Sequence, residues 1–122
     1  MSSYAQPNVL TFKAGAAIAQ GCVVKPGADR EHVLVSAAAT SKNFGIAMNA
    51  ASAAEDKVEV ALPGGGAKGL AGGTVAFGDL LTSDADGKLV ATTTANDRAV
   101  AMAMEDAVVG DLFSVHIIVS NI

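Results

Sequence analysis

Three blocks of this chain occur twice, in the same order and at nearly the same spacing. The run AGAAIAQGCVV from Ala14 to Val24 matches AGGTVAFGDLL from Ala71 to Leu81, at an offset of 57 residues. Gly45-Ile46-Ala47-Met48 echoes Ala99-Val100-Ala101-Met102 at an offset of 54, and the run from Asp56 to Leu62 echoes that from Asp111 to Ile117 at 55. An Ala/Gly/Val-rich composition yields one such match by chance, but hardly three in order. The chain therefore reads as a duplicated unit, Thr11–Leu62 and Gly69–Val119, joined by residues 63–68 and preceded by an arm of residues 1–10. With 122 residues in all, the two units make one domain of two related halves over residues 11–122.

Within each unit the pattern is that of strands. Val58, Val60 and Leu62 alternate with Glu59 and Ala61, and Phe113, Val115 and Ile117 alternate with Ser114 and His116. A period of two places one row of side chains on each sheet face. Val9–Phe12, Val33–Val35 and Leu89–Thr93 are short β-branched or apolar runs of the same kind. Asp84-Ala85-Asp86-Gly87-Lys88, between Leu80-Leu81-Thr82 and Leu89-Val90, reads as a hairpin turn with Gly87 at positive φ. Gly15, Gly21, Gly72 and Gly78 punctuate at matching places, where tight turns exclude a Cβ. No stretch sustains an apolar period of 3.6; Ala50–Ala54 and Glu105–Val109 are each expected to make at most one helical turn. The fold class is mainly β. The last run, Leu112–Ile122, holds no charge and would invite aggregation as a free edge, so it is expected inside the sheet and near a subunit interface.

Composition narrows the function. Eight Lys and Arg against twelve Asp and Glu give a formal charge of −4 with no basic cluster, which argues against nucleic acid, whose phosphates demand a cationic patch. The longest charge-free runs, Met1–Phe12 and Asn43–Ala54, span only 12 residues, short of the roughly 18 that a membrane-spanning helix needs. The first charge is Lys13, so no basic segment precedes an apolar one and no secretory signal is expected. Much of the apolar half of the chain is small, with 25 alanines, so the core is expected to be thin in buried area per residue and oligomerisation is expected.

Candidate chemistry is sparse. Gly64-Gly65-Gly66-Ala67-Lys68-Gly69 lacks the Ser or Thr and the following helix of a phosphate-binding loop and reads as a flexible connector. Asp84 and Asp86 begin like a calcium loop, but the twelfth position is Ala95 rather than a bidentate Glu. His32 and His116 stand in no metal-ligand spacing, so no metal site is expected. Cys22 has no neighbouring cation and reads as a small buried hydrophobe. Glu55-Asp56 and Glu105-Asp106 read as one acidic turn used twice. Neither a catalytic constellation nor a cofactor motif emerges, and the chain is not expected to be an enzyme; a hydrolase built on Cys22 and a histidine is the weakest reading.

Taken together, Tyr4-x-Gln6-Pro7 leading into Leu10-Thr11-Phe12, then Ala14-Gly15-x-x-Ile18-x-x-Gly21-x-Val23-Val24, Phe44-Gly45-Ile46-Ala47, Asp56-Lys57-Val58-Glu59-Val60, Gly78-Asp79, Asp86-Gly87-Lys88 and Gly110-Asp111 resemble the capsid cement, or head decoration, proteins of tailed bacteriophages. The resemblance runs from Tyr4 to about Val119. It departs from the family pattern at Glu55, where Gly is expected, and at Ala99, opposite Gly45 of the first half. It implies a β-tulip or β-clip-like fold and a homotrimer on the outer surface of the virion's head shell, over junctions between major capsid subunits. It also implies synthesis in the host cytoplasm and no cofactor. Tyr4, Gln6, Pro7 and Asn8 are the candidate capsid contacts, on an uncharged arm expected to be disordered when free and to order on a partner; the plainer reading is a frayed terminus. The competing function is a β-clip module that binds a sugar or other small ligand, with Tyr4, Arg30 and His32 as its candidate contacts.

Overall fold

In the computed structural model, which describes residues 9–93 and 97–121, ten strands account for the regular structure and there is no helix. The first five are β1 (Val9–Ala14), β2 (Val23–Pro26), β3 (His32–Val35), β4 (Gly45–Ala47) and β5 (Lys57–Ala61). The second five are β6 (Gly66–Leu70), β7 (Leu80–Ser83), β8 (Leu89–Ala91), β9 (Arg98–Ala103) and β10 (Leu112–Asn121). Alternation drives the strands as expected: β5 buries Val58 and Val60 and exposes Lys57 and Glu59, while β10 buries Phe113, Val115 and Ile117 and exposes His116. The run expected as Leu89–Thr93 ends earlier, at Ala91, and β1 takes in Val9 and Leu10, which pair with Ala61 and Val60.

β1–β5 close into a barrel in the order β1-β3-β2-β4-β5, and β6–β10 form a sheet in the order β6-β10-β9-β7-β8. Matching β1 with β6, β2 with β7 and so on, each antiparallel pairing of the first half recurs in the second. The one difference lies at the closure. β1 and β3 share a parallel ladder, Lys13 opposite His32 and Ala14 opposite Val33, whereas the second half has the single parallel bridge Ala71 to Leu89 and stays open. The connecting loops repeat as well. Ala14 N–H donates to the Asp56 carbonyl at 2.8 Å and Ala71 N–H to that of Asp111 at 2.9 Å. Ile18 bridges Ala51 as Val75 bridges Ala107. Asp56 and Asp111 thus sit at equivalent turns.

Register corrects the middle block of the repeat. Val24 pairs with Gly45 and Leu81 with Ala101, while Ala47 pairs with Val60 and Ala103 with Val115. The counterpart of Gly45 is therefore Ala101, and the match to Ala99 was two residues out. A two-residue slip leaves every side chain on its face, so hydrophobic pattern alone does not detect it. The acidic pairs also separate: Glu55-Asp56 corresponds to Gly110-Asp111, and Glu105 takes the place of Asn49. Glu105 Oε2 accepts the Ser114 N–H at 2.7 Å as Asn49 Oδ1 accepts that of Glu59 at 2.8 Å.

Two further expectations give way. The glycine-rich segment is not simply a connector, since Gly66, Ala67 and Lys68 are β6 residues paired with His116, Val115 and Ser114. Only the preceding turn remains irregular, with Gly64 at φ 94°. Nor do 50–54 and 105–109 form helical turns. Ala51 and Ala107 instead exchange both backbone hydrogen bonds with Ile18 and Val75, which uses the N–H and C=O that a helical turn would need.

Two cores result. Ala14, Ile18, Val24, Val33, Ala47, Val58 and Val60 fill the barrel, with Cys22 among them. Val23, Ile46 and Ala61 point out of it and join Leu81, Leu89, Val100, Phe113, Val115 and Ile117 in a second cluster shared by both halves. Hydrogen bonds cross the same seam, from Val23 N–H to the Gly87 carbonyl at 2.7 Å and from Arg98 Nε to the Asn43 carbonyl at 2.6 Å. Gly87 serves both its turn, at φ 80°, and the seam, where a Cβ would lie 2.3 Å from Val35 Cγ1. The uncharged last strand, β10, is an interior strand, flanked by β6 and β9.

Candidate interaction surface

His32, Cys22 and the Asp84 turn are each engaged in structure. His32, at the start of β3, has Nδ1 2.7 Å from Asp29 Oδ1 and Nε2 2.8 Å from Glu55 Oε2. With a carboxylate at each ring nitrogen the doubly protonated imidazole is favoured, so the His32 pKa is raised, first by Asp29 and then by Glu55. The Asp29 carboxyl is lowered in turn, first by the His32 bond and then by the Glu31 N–H. Both nitrogens of His32 are thereby occupied, and the two carboxylates lie at opposite edges of the ring. Among the described residues no group of three or more His, Cys, Asp or Glu side chains is placed to hold a metal. Cys22 is buried with no disulfide partner, and burial pushes its thiol pKa up, away from a nucleophile's. Asp84 Oδ1 accepts the N–H groups of Asp86 and Lys88 at 2.8 and 2.9 Å, the pattern of a self-contained turn. Tyr4, Gln6, Pro7 and Asn8 lie outside the described residues.

What stands out instead is surface. Phe77, Val108 and Val109 are 68%, 56% and 64% exposed, with Met104 and Leu112 beside them in sequence and also exposed. The loops that carry them, 71–79 and 104–111, are laced together. Phe77 N–H donates to Asp106 Oδ1 at 2.8 Å, Val75 bridges Ala107, and Gly110 N–H donates to the Ala71 carbonyl at 2.9 Å. The equivalent loops of the first half present Gln20 for Phe77, Ala53 and Ala54 for Val108 and Val109, and Lys57 for Leu112. Met48, the counterpart of Met104, is exposed on the first half too, so the shared loop architecture is more apolar on the second half rather than apolar there alone. The opposition of Phe77 to Gln20 was already readable in the first repeated block; Val108 and Val109 stand outside all three blocks and needed the loop register.

Charge divides along the same line. Residues 1–68 carry six Lys and Arg against five Asp and Glu, and residues 69–122 carry two against seven. The two apolar loops hold Asp79, Glu105, Asp106 and Asp111 and no cation; the nearest counter-charge, Lys68 Nζ, is 3.6 Å from Glu105 Oε2. The Glu105 carboxyl is held below its ordinary pKa, chiefly by the Ser114 N–H. On the first half, an open cleft of about 390 Å³ is lined by the apolar Leu10 and Phe12 and by Lys13, Arg30 and Lys57 against one acid, Glu31.

The chain's resemblances bear on what such a surface serves. Residues 5–117 match the family model for phage cement proteins. Among solved structures, the head fiber gp8.5 N base of bacteriophage phi29 shares the fold, with a TM-score of 0.70 at 22% identity over 93% of this chain and 96% of that one. No curated protein sequence matches this chain. A family model spanning nearly the whole chain, on an all-β body of the same fold as a phage head protein, places this chain in the phage cement protein family, a family of structural proteins of the phage head.

Proposed function

We propose that the protein binds the outer surface of a phage head shell as a homotrimer and stabilises contacts between major capsid subunits, without chemistry and without nucleic acid or membrane as partner. The observation that carries this reading is the cement-family match over residues 5–117. The body suits the role: a small β domain with two packed cores that leaves Leu10, Phe77, Val108 and Val109 exposed. Tyr4, Gln6, Pro7 and Asn8 are the arm contacts in this reading. The arm is uncharged, and Tyr4 offers an amphipathic anchor. In a trimer three such contacts act together, so a modest loss in each copy is multiplied through avidity.

The test is co-sedimentation with expanded, undecorated shells, comparing the full chain with one lacking Met1–Asn8. The full chain should pellet with shells, and the shortened chain should stay folded with a nearly unchanged melting temperature and remain in the supernatant. Failure of the full chain to bind any such shell sinks the function. Full retention of the shortened chain moves the contact from the arm to the β body.

A further inference from the structure

The two surfaces described above are complementary, and they belong to opposite halves of one chain. On the second half, Phe77, Val108 and Val109 project from loops whose charges are all acidic; on the first, Leu10 and Phe12 line a cleft with three cations and one acid. Within a single chain they leave each other uncovered, for Leu10 is 55% and Phe77 68% exposed. We propose that they meet between copies: the Phe77 loops of one protomer seat in the Leu10–Phe12 cleft of the next, in a head-to-tail contact that closes into a ring. A face-to-face contact of two Phe77 loops would set four acids against four and is disfavoured by charge. A head-to-tail contact sets acids against cations and covers apolar surface on both sides, and when its rotation closes it yields a cyclic assembly. The comparison of halves strengthens this. The duplicated loops of the first half carry Gln20, Ala53 and Ala54, so large apolar side chains are not required by the architecture of these turns. The inference rests on the proposed self-assembly and is independent of shell binding.

Complementation between two damaged chains tests it. One variant, Phe77→Ser with Val109→Lys, spoils the projecting loops and leaves the cleft. The other, Leu10→Glu with Arg30→Glu, spoils the cleft and leaves the loops. All four positions are exposed, and circular dichroism with melting curves verifies that both variants fold. Association is read by sedimentation velocity and native mass spectrometry. The wild-type chain should form a closed oligomer. Each variant alone should be monomeric, its dissociation constant raised about 30-fold or more, as for loss of an interface hot spot. An equimolar mixture should recover heteromers through the intact loop–cleft pair. A monomeric wild type overturns self-assembly and this interface with it. Wild-type-like assembly of either variant, even one that no longer binds shells, overturns this interface alone. A mixture that stays monomeric also overturns the head-to-tail arrangement.

Discussion

Replacing Glu55 by glycine should stabilise the protein, and should do so more at alkaline than at mildly acidic pH. Glu55 has φ 73° and is the one non-glycine at positive φ among the described residues. Its counterpart in the second half is Gly110, at φ 91°, so the turn before Asp56 and Asp111 demands the left-handed region. An L side chain there costs about 1–2 kcal/mol. Glycine regains that, but its freer unfolded chain returns about 0.4–1 kcal/mol. The net gain is about 0.5–1 kcal/mol, which is a melting shift of about 2–6 °C for a domain of this size. Against it stands the bond from Glu55 Oε2 to His32 Nε2 at 2.8 Å. That bond is the second cause of the raised His32 pKa, after Asp29. Because the folded pKa is raised, the stability it contributes is fully present below the unfolded value near 6.5 and fades as pH rises through the folded one. Denaturant unfolding of Glu55→Gly and wild type at about pH 6 and about pH 9 should therefore show the smaller gain at the lower pH and the full gain at the higher. Glu55→Gln, which keeps the backbone cost but not the charge, should gain nothing at either. A Glu55→Gly chain less stable than wild type at the higher pH refutes the strain argument. An equal gain at both pH values refutes the role of the His32 pair.

Three other outcomes follow from packing. Gly69→Ala should destabilise by about 1–3 kcal/mol in denaturant unfolding, since a Cβ at Gly69 would lie 2.2 Å from Cδ1 of the fully buried Leu89; a neutral result would mean that the open edge between β6 and β8 adjusts freely. Phe113→Ala should cost about 3–5 kcal/mol, as Phe113 is among the largest fully buried side chains and lies in the cluster shared by both halves; a loss below about 1 kcal/mol would contradict that placement. Cys22 is 4% exposed with a raised thiol pKa, so alkylation by iodoacetamide at neutral pH should be slow in the native protein and fast in urea, and equal rates would place the thiol at the surface.

Much of the fold was legible because it is local. Alternation in Lys57–Ala61 and Phe113–Ile117 depends only on the pleat, and the Asp84–Lys88 hairpin only on its own turn chemistry. The misreadings had local causes too. Gly64-Gly65-Gly66 looks like a linker, yet Gly66 enters a strand because β10 supplies a partner for its backbone. Ala50–Ala54 and Glu105–Val109 have the composition of a helical turn, but backbone bridges to Ile18 and Val75 claim their alanines. Pattern also misplaced Gly45 against Ala99, since a sheet tolerates a two-residue slip without moving any side chain to the other face.

The candidate surface divides the same way. By itself the sequence determined the alternation of its strands and the repeated blocks that put Asp56 and Asp111 at equivalent turns. Those are properties of spacing and residue type, which near neighbours along the chain suffice to set. Tertiary structure alone decided that the first copy closes into a barrel and the second stays open, and that Val23, Ile46 and Ala61 face the other half rather than solvent. It also decided that Phe77, Val108 and Val109 are left outside both cores. Burial is a property of what lies across from a side chain, and for these residues the neighbour that decides it is dozens of positions away.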